Sequence, residues 1–146
     1  MSTNLELKIE RIFDTQIQNV WNAWTEPELL REWSCPESFV ITEISGELKV
    51  GGNWTLTMVS EKLGYTGKLR GEYKVIDQPH RLVSTHVWVD ENGNDEHETE
   101  YTVELSEIDG KTHMVFTQTG FVSVESRDSH ESGWGETFNK LGQLLN

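Results

Sequence analysis

The sequence predicts an α+β domain in which a curved antiparallel sheet wraps around a long C-terminal helix. Apolar and polar residues alternate near the start and through the middle of the chain, turn residues separate the alternating segments, and the final segment changes to helical spacing. A chain of 146 residues is expected to form a single domain, residues 1–146, with a sizeable core.

A strand and a helix are predicted first. Residues 5–13 alternate apolar with charged side chains, as a half-buried strand does. Asp14 or Thr15 is expected to cap the following helix. Four apolar residues share one face of that helix: Ile17, Val20, Trp21 and Trp24.

A second short helix is predicted directly afterwards. Residues 25–28, Thr-Glu-Pro-Glu, have the spacing of a capping box with an early proline. The helix would present Leu29, Leu30 and Trp33 and end at residues 34–36, Ser-Cys-Pro.

Six more strands are predicted before the last helix, at 39–45, 53–60, 65–76, 82–90, 98–106 and 112–121. Their connections contain Gly-Gly at 51–52, Asp-Gln-Pro at 77–79, Asn-Gly-Asn at 92–94 and Asp-Gly at 109–110. These residues supply the backbone angles of tight reversals, so the strands should form an antiparallel meander.

The terminal helix, at about 124–145, should be roughly 33 Å long and cross a small sheet. Trp134, Phe138, Leu141 and Leu145 lie on one face of it. The same stripe continues back to Arg127 and His130, so either the first turns are exposed or these polar groups face a pocket. Gly133 and Gly135 indicate a close neighbour or a wide adjoining space.

The net charge argues against two classes of partner, and the cysteine content and N-terminus predict the location of the protein. The formal net charge is -13 and no basic cluster is present, so neither nucleic acid nor a membrane surface is expected to bind. Cys35 is the single cysteine, and the N-terminus lacks the apolar run of a secretory signal. A soluble, cytoplasmic protein is predicted.

The sequence contains no strong motif for catalysis or for a cofactor. The five histidines lack metal-binding spacings, Cys35 has no basic sequence neighbour, and the glycine pair at 51–52 lacks the lysine of a phosphate loop. No metal, cofactor or catalytic residue is therefore predicted, although His86 or His130 could act as a general acid or base.

Aromatic side chains alternate on the predicted strands. We predict that the strand face with Ser84, His86 and Trp88 lines the interior, because large rings with polar edges suit a partly hydrated cavity. Neighbouring strands add five candidates: Trp54, Tyr73, Tyr101, Phe116 and Gln118.

Several short motifs occur in a characteristic order along the chain. They are Phe13-Asp14, Val20-Trp21, residues 25–30 with Trp33, Gly51-Gly52 with Trp54, residues 71–76, Pro79, residues 81–83, Thr112, His130 and Gly133-Trp134. With the order of elements, they resemble the START-like (SRPBCC) superfamily, and within it the family named after the activator of the heat-shock chaperone ATPase. The resemblance covers residues 5–145. The chain departs from the family pattern at Val50, where a proline is usual, and at Gly46-Glu47, where an aspartate is usual.

The resemblance implies a helix-grip fold with a cavity for lipids, polyketides or other apolar molecules between sheet and helix. The leading hypothesis is a binding protein, either a monomer or a homodimer. Its predicted ligand contacts are Trp33, Trp54, Tyr73, His86, Trp88, Tyr101, Gln118, Arg127, His130, Trp134 and Phe138.

Two further functions stay open. One is a co-chaperone-like module that acts on a chaperone, although the additional N-terminal domain of the family's founding members is not expected here. The other is a cyclase or hydratase in which His130 exchanges protons while Arg127 stabilises developing negative charge.

Overall fold

A computed structural model of the protein describes residues 5–146. That part of the chain contains the strands β1 (Glu6–Phe13), β2 (Val40–Gly46), β3 (Asn53–Ser60), β4 (Tyr65–Asp77), β5 (Arg81–Val89), β6 (Asp95–Ile108) and β7 (Lys111–Thr119). The helices are α1 (Ile17–Thr25), α2 (Pro27–Trp33) and α3 (Val124–Leu145). The predicted α+β class, with two short helices after the first strand and one long helix at the end, is confirmed.

The seven strands form one antiparallel sheet in the order β1-β7-β6-β5-β4-β3-β2. Strands β2 to β7 follow one another as the predicted meander, and β1 pairs with β7 at the far edge. Register shifts in the β2–β3, β4–β5 and β5–β6 pairs indicate bulges, which bend a sheet locally. The inner face of this curved sheet is the one that meets α3.

Helix α3 has the predicted bounds. Ser123 caps its start, since the Ser123 hydroxyl accepts a hydrogen bond of 3.1 Å from the backbone N–H of Ser126. Phe138 and Leu141 are fully buried in the second half of the helix. The ring of Phe138 also stacks on Trp134 with a centroid distance of 5.3 Å. The apolar stripe therefore holds the helix against the sheet.

The predicted caps of the two short helices are wrong. Gln16, rather than Asp14 or Thr15, precedes α1, because the backbone carbonyl of Thr15 is bound by the hydroxyl of Thr112 in β7. The capping box at residues 25–28 does not form either. Thr25 ends α1 and its hydroxyl donates to the carbonyl of Trp21, a local bond that serine and threonine often make.

The ends of strands β6 and β7 differ most from the predictions. Strand β6 starts at Asp95 and ends at Ile108 because it pairs with β5 as far as Val89 and with β7 as far as Lys111. Strand β7 ends at Thr119, since Gly120 has a φ of 90° and turns the chain away. Pairing with the neighbouring strands thus determines both ends of β6, and the positive φ of Gly120 determines the end of β7.

The main core lies where the three helices meet the inner face of the sheet. Trp24 of α1 packs edge-on against Trp33 of α2 at 4.8 Å and stacks on Phe116 of β7 at 6.0 Å. Phe138 of α3 lies 5.1 Å from Phe116. Trp33 is fully buried, and its Nε1 donates to the carbonyl of Ala23. The aromatic residues thus join the helices to one half of the sheet.

Candidate ligand-binding cavity

Two cavities lie between the inner face of the sheet and the helices. The smaller cavity, of about 180 Å³, is bordered by α1, α2 and strands β2 to β6. The larger cavity, of about 370 Å³, lies towards the first half of α3. They share four lining residues: Ser34, Leu69, His86 and Trp134. The rings of His86 and Trp134, 5.9 Å apart, therefore border both spaces.

Glycines make room for two large rings on the inner face. Gly71 of β4 pairs with Trp54, and a Cβ there would come within 2.5 Å of the Trp54 indole and 2.2 Å of the Thr85 carbonyl oxygen. A Cβ on Gly67 would lie 2.9 Å from the Trp88 ring. Each indole can cover the neighbouring strand because a glycine lies beneath it.

The indole of Trp54 forms part of the smaller cavity's wall. Its Nε1 donates a hydrogen bond of 2.8 Å to the hydroxyl of Ser84 in β5. Tyr73 of β4 and Tyr101 of β6 complete an aromatic wall with it. Burial raises the pKa of both phenols, and the neighbouring Tyr73 adds to the effect at Tyr101. Both tyrosines are therefore neutral at physiological pH.

Gln118 of β7 organises a buried polar network beneath the two cavities. Its Nε2 donates to the Thr99 hydroxyl at 2.7 Å, and its Oε1 accepts from the indole N–H of Trp134 at 2.8 Å. Nε2 also approaches Nδ1 of His86 at 3.4 Å. Gln118 is completely buried, so these bonds satisfy a side chain that would otherwise destabilise the core.

His86 is buried and neutral. Its exposed fraction is 5%. Burial, with a smaller contribution from His130, lowers the pKa of His86 from 6.5 to about 3. Its ring lies about 6 Å from five other aromatic rings, those of Trp54, Trp88, Tyr101, His130 and Trp134.

His130 joins α3 to the sheet beside the larger cavity. The indole N–H of Trp88 in β5 donates to Nε2 of His130 at 2.9 Å. An indole can only donate, so Nε2 accepts and the proton lies on Nδ1, which donates to the Ser126 carbonyl at 2.7 Å. Both ring nitrogens of His130 are therefore engaged.

The two cavity walls carry little charge. Neither wall contains a lysine or an arginine in the part of the chain that the structure describes, and Glu96 of the larger cavity is the single acidic lining residue there.

Residues 5–146 also contain no group of three or more potential metal ligands. None of the helices described is long and apolar enough to cross a membrane.

The structure brings most of the predicted contact residues together. Seven of them line a cavity: Trp54, Tyr73, His86, Trp88, Tyr101, His130 and Trp134. The face of β5 with His86 and Trp88 is the inner face, as predicted. Gly133 lines the larger cavity, and its nearest neighbour is Pro36, 3.9 Å from a built Cβ. The glycine therefore marks the wide space that the sequence indicated.

Four predicted contact residues lie outside both cavity walls. Trp33 and Phe138 pack in the aromatic core, and Gln118 lies in the network behind Trp134. Arg127 lies beside Asp128, with 3.2 Å between its guanidinium and the carboxylate. Periodicity along a helix or a strand did not separate these positions from the cavity residues, because packing between elements decides which members of one face reach an open space.

The first two helices contribute cavity residues that their sequence pattern did not indicate. Trp24, Leu30 and Ser34 line the smaller cavity, and Leu69 of β4 lines both cavities. Trp24 and Leu30 were identified as members of apolar helix faces. The spacing of apolar residues is the same in a helix face that packs on a core and in one that borders a cavity. Periodicity therefore does not distinguish core residues from cavity residues.

A curved antiparallel sheet that grips a long C-terminal helix defines a START-like helix-grip domain. Residues 14–146 match a family model described as Activator of Hsp90 ATPase homolog 1-like protein. The chain belongs to this family, which confirms the resemblance found in the sequence. A comparison with curated proteins finds no match.

Solved structures support the same assignment. A protein from Arthrobacter aurescens is 26% identical, with a TM-score of 0.87 over 97% of this chain and 86% of that chain. An AHSA1 protein from Silicibacter pomeroyi is 22% identical, with a TM-score of 0.86 over 97% of both chains. A protein from Chromobacterium violaceum is 19% identical, with a TM-score of 0.86 over 96% of both chains. The last two likenesses concern the fold alone.

Proposed function

We propose that this protein binds an apolar or aromatic small molecule, of lipid-, polyketide- or flavonoid-like chemistry, between the sheet and α3. The observation that carries the proposal is the pair of ring-lined cavities that share His86 and Trp134. Internal spaces lined by aromatic side chains and a few oriented polar groups are typical of small-molecule sites.

The character of the walls supports this ligand class. Trp54, Tyr101 and Trp134 supply apolar surface, and burying apolar surface stabilises a complex by roughly 25 cal/mol per Å² before the entropic costs of association. A charged ligand group would find no lysine or arginine in either wall within residues 5–146. Binding of a strongly charged molecule would therefore cost desolvation without compensation.

Titration of tryptophan fluorescence tests the proposal. Fatty acids, flavonoids, sterols and polyketide-like aromatics would be added to the wild-type protein, to Trp134→Phe and to Trp21→Phe. Trp134 borders both cavities, whereas Trp21 is buried and lines neither, so Trp21→Phe is a matched control for the loss of one fluorophore. We expect saturable quenching that weakens in Trp134→Phe alone. No saturable response from any compound would contradict the proposal.

The description of the family favours a second candidate, an interaction with a chaperone of the Hsp90 class. It predicts that the purified protein raises the ATPase rate of such a chaperone and that substitutions in the cavities leave this effect unchanged. An unchanged ATPase rate would exclude this candidate. Both candidates are compatible with the predicted cytoplasmic location, which cell fractionation tests.

The hypothesis of a cyclase or hydratase gains no support from His130. Its Nε2 accepts from Trp88 and its Nδ1 donates to Ser126, so proton exchange with a substrate would first have to break one of these bonds. Arg127, the predicted partner of His130, lines neither cavity.

A further inference from the structure

The hydrogen bonds around Gln118 determine which nitrogen of His86 carries the proton. The indole N–H of Trp134 can only donate, so the amide of Gln118 directs Oε1 towards Trp134 and its NH₂ group towards Thr99 and His86. A donor therefore faces Nδ1 of His86 at 3.4 Å. Nδ1 must accept, and in the neutral ring the proton lies on Nε2.

This Nε2–H group is an unused donor beside the cavities. His86 lines both cavities, and Nε2 has no hydrogen-bond partner among residues 5–146. The side chain is 5% exposed. A donor that borders a cavity and has no partner in the protein is available to an acceptor atom of a ligand.

The wall of the smaller cavity contains a second donor of this kind. The indole of Trp24 lines that cavity, and its Nε1 is buried without a hydrogen-bond partner in the part of the chain that the structure describes. The groups of His86 and Trp24 that have no partner in this part of the chain are thus both N–H donors.

The absence of positive charge in the described cavity walls agrees with this arrangement of neutral N–H donors. His86 is neutral at physiological pH because its pKa is lowered to about 3. The tyrosines of the smaller cavity are neutral as well, because burial raises their pKa values. No basic side chain lines either cavity within residues 5–146. The site thus offers hydrogen-bond donors but no positive charge that would stabilise a carboxylate.

We infer that the ligand is an uncharged apolar molecule with a carbonyl or similar neutral oxygen that accepts a hydrogen bond from Nε2–H of His86. The inference rests on the proposed binding function and names the chemical class of its ligand. His86 then selects neutral, oxygen-bearing ligands over both hydrocarbons and carboxylates of the same shape.

Three naphthalenes of similar shape test this selection by isothermal titration calorimetry at pH 7. They are 2-acetylnaphthalene, which has a neutral acceptor; 2-ethylnaphthalene, which has none; and 2-naphthoate, which is charged. We expect the ketone to bind about fivefold or more tightly than the hydrocarbon, as one hydrogen bond allows. The carboxylate should bind at least about tenfold more weakly than the ketone.

The variant His86→Phe keeps a ring and removes the donor. It should lose the preference for the ketone while the hydrocarbon binds at least as tightly as before. A preference for the ketone that persists in His86→Phe, equal binding of ketone and hydrocarbon to the wild type, or tightest binding of 2-naphthoate would each overturn the inference and leave the binding function standing. No binding of any of the three naphthalenes would overturn the inference, whereas the broader binding function is judged by the fluorescence panel.

Histidine side-chain NMR of the wild-type protein provides a measurement that does not depend on the folding of a variant. The ¹⁵N pattern of His86 should be that of the Nε2–H tautomer, and the Nε2–H proton signal should move downfield with 2-acetylnaphthalene, as a hydrogen-bonded N–H does, by clearly more than with 2-ethylnaphthalene. A proton on Nδ1, or the same response to both compounds, would overturn the inference.

Discussion

The indole N–H of Trp88 donates a hydrogen bond of 2.9 Å to Nε2 of His130, and this bond joins β5 to α3. The two rings also lie 6.2 Å apart in an edge-on arrangement at the border of the larger cavity. One polar contact therefore helps to position the first half of the long helix over the sheet, where the apolar stripe is interrupted.

The contact between Trp88 and His130 should appear as a coupling energy. In a double-mutant cycle with Trp88→Phe and His130→Leu, we expect the coupling to be about 0.5–1.5 kcal/mol, the net contribution of one hydrogen bond. The free energies of unfolding would be measured in urea at pH 7.5. Additive effects of the two substitutions would show that this bond does not stabilise the protein.

Two glycines should respond to alanine in opposite directions. Gly71→Ala places a Cβ 2.2 Å from the Thr85 carbonyl oxygen, so it should lower the free energy of unfolding by about 1–3 kcal/mol or more. Gly135→Ala, the matched control in α3, meets no atom within 4 Å and should raise it by about 0.5–1 kcal/mol. Urea denaturation measures both, and a tolerated alanine at residue 71 would contradict the packing described for Trp54.

The burial of His86 should make stability depend on pH. Its pKa is about 3 in the folded protein and close to 6.5 when unfolded, so between these values the unfolded chain binds the additional proton. Stability is therefore complete above about pH 6.5 and falls as the pH decreases towards 3. At pH 5 the expected loss from this residue is about 2 kcal/mol.

The variant His86→Gln isolates this effect because glutamine does not titrate. Free energies of unfolding of both proteins would be measured from pH 7.5 to 4.5. We expect the difference between wild type and variant to change by about 2 kcal/mol between pH 7.5 and pH 5. Parallel profiles would show that His86 is not held neutral by the fold.

Filling the cavities should block binding. Leu69 lines both cavities, so Leu69→Trp should lower the affinity for the best ligand of the fluorescence panel. The expected decrease is at least about tenfold, or about 1.4 kcal/mol of binding free energy. Leu63→Trp is the control, because Leu63 is 62% exposed and lines neither cavity. Calorimetry with both variants compares the affinities. Equal affinities would place the ligand elsewhere on the protein.

Much of the fold was predictable because local patterns repeat along each element. The alternation in residues 5–13 and the spacing of Trp134, Phe138 and Leu141 each specify one element and its buried face. The helix caps were not predictable in this way. Thr15 and Thr25 have the chemistry of capping residues. However, the backbone carbonyl of Thr15 accepts a hydrogen bond from Thr112 of β7, and the hydroxyl of Thr25 donates to the carbonyl of Trp21 in the preceding turn of α1.

The sequence by itself determined the order of strands and helices, the meander of β2 to β7 and the inner face of β5, because side-chain periodicity and turn residues act over a few positions. Only the tertiary structure decided that Phe138 fills the core while Trp134 borders both cavities. It likewise decided that His86 presents Nε2–H, since its tautomer depends on Gln118, which is 32 positions away in the chain. Packing and hydrogen bonding of this kind join distant segments, and their partners are specified by the folded geometry rather than by any local pattern.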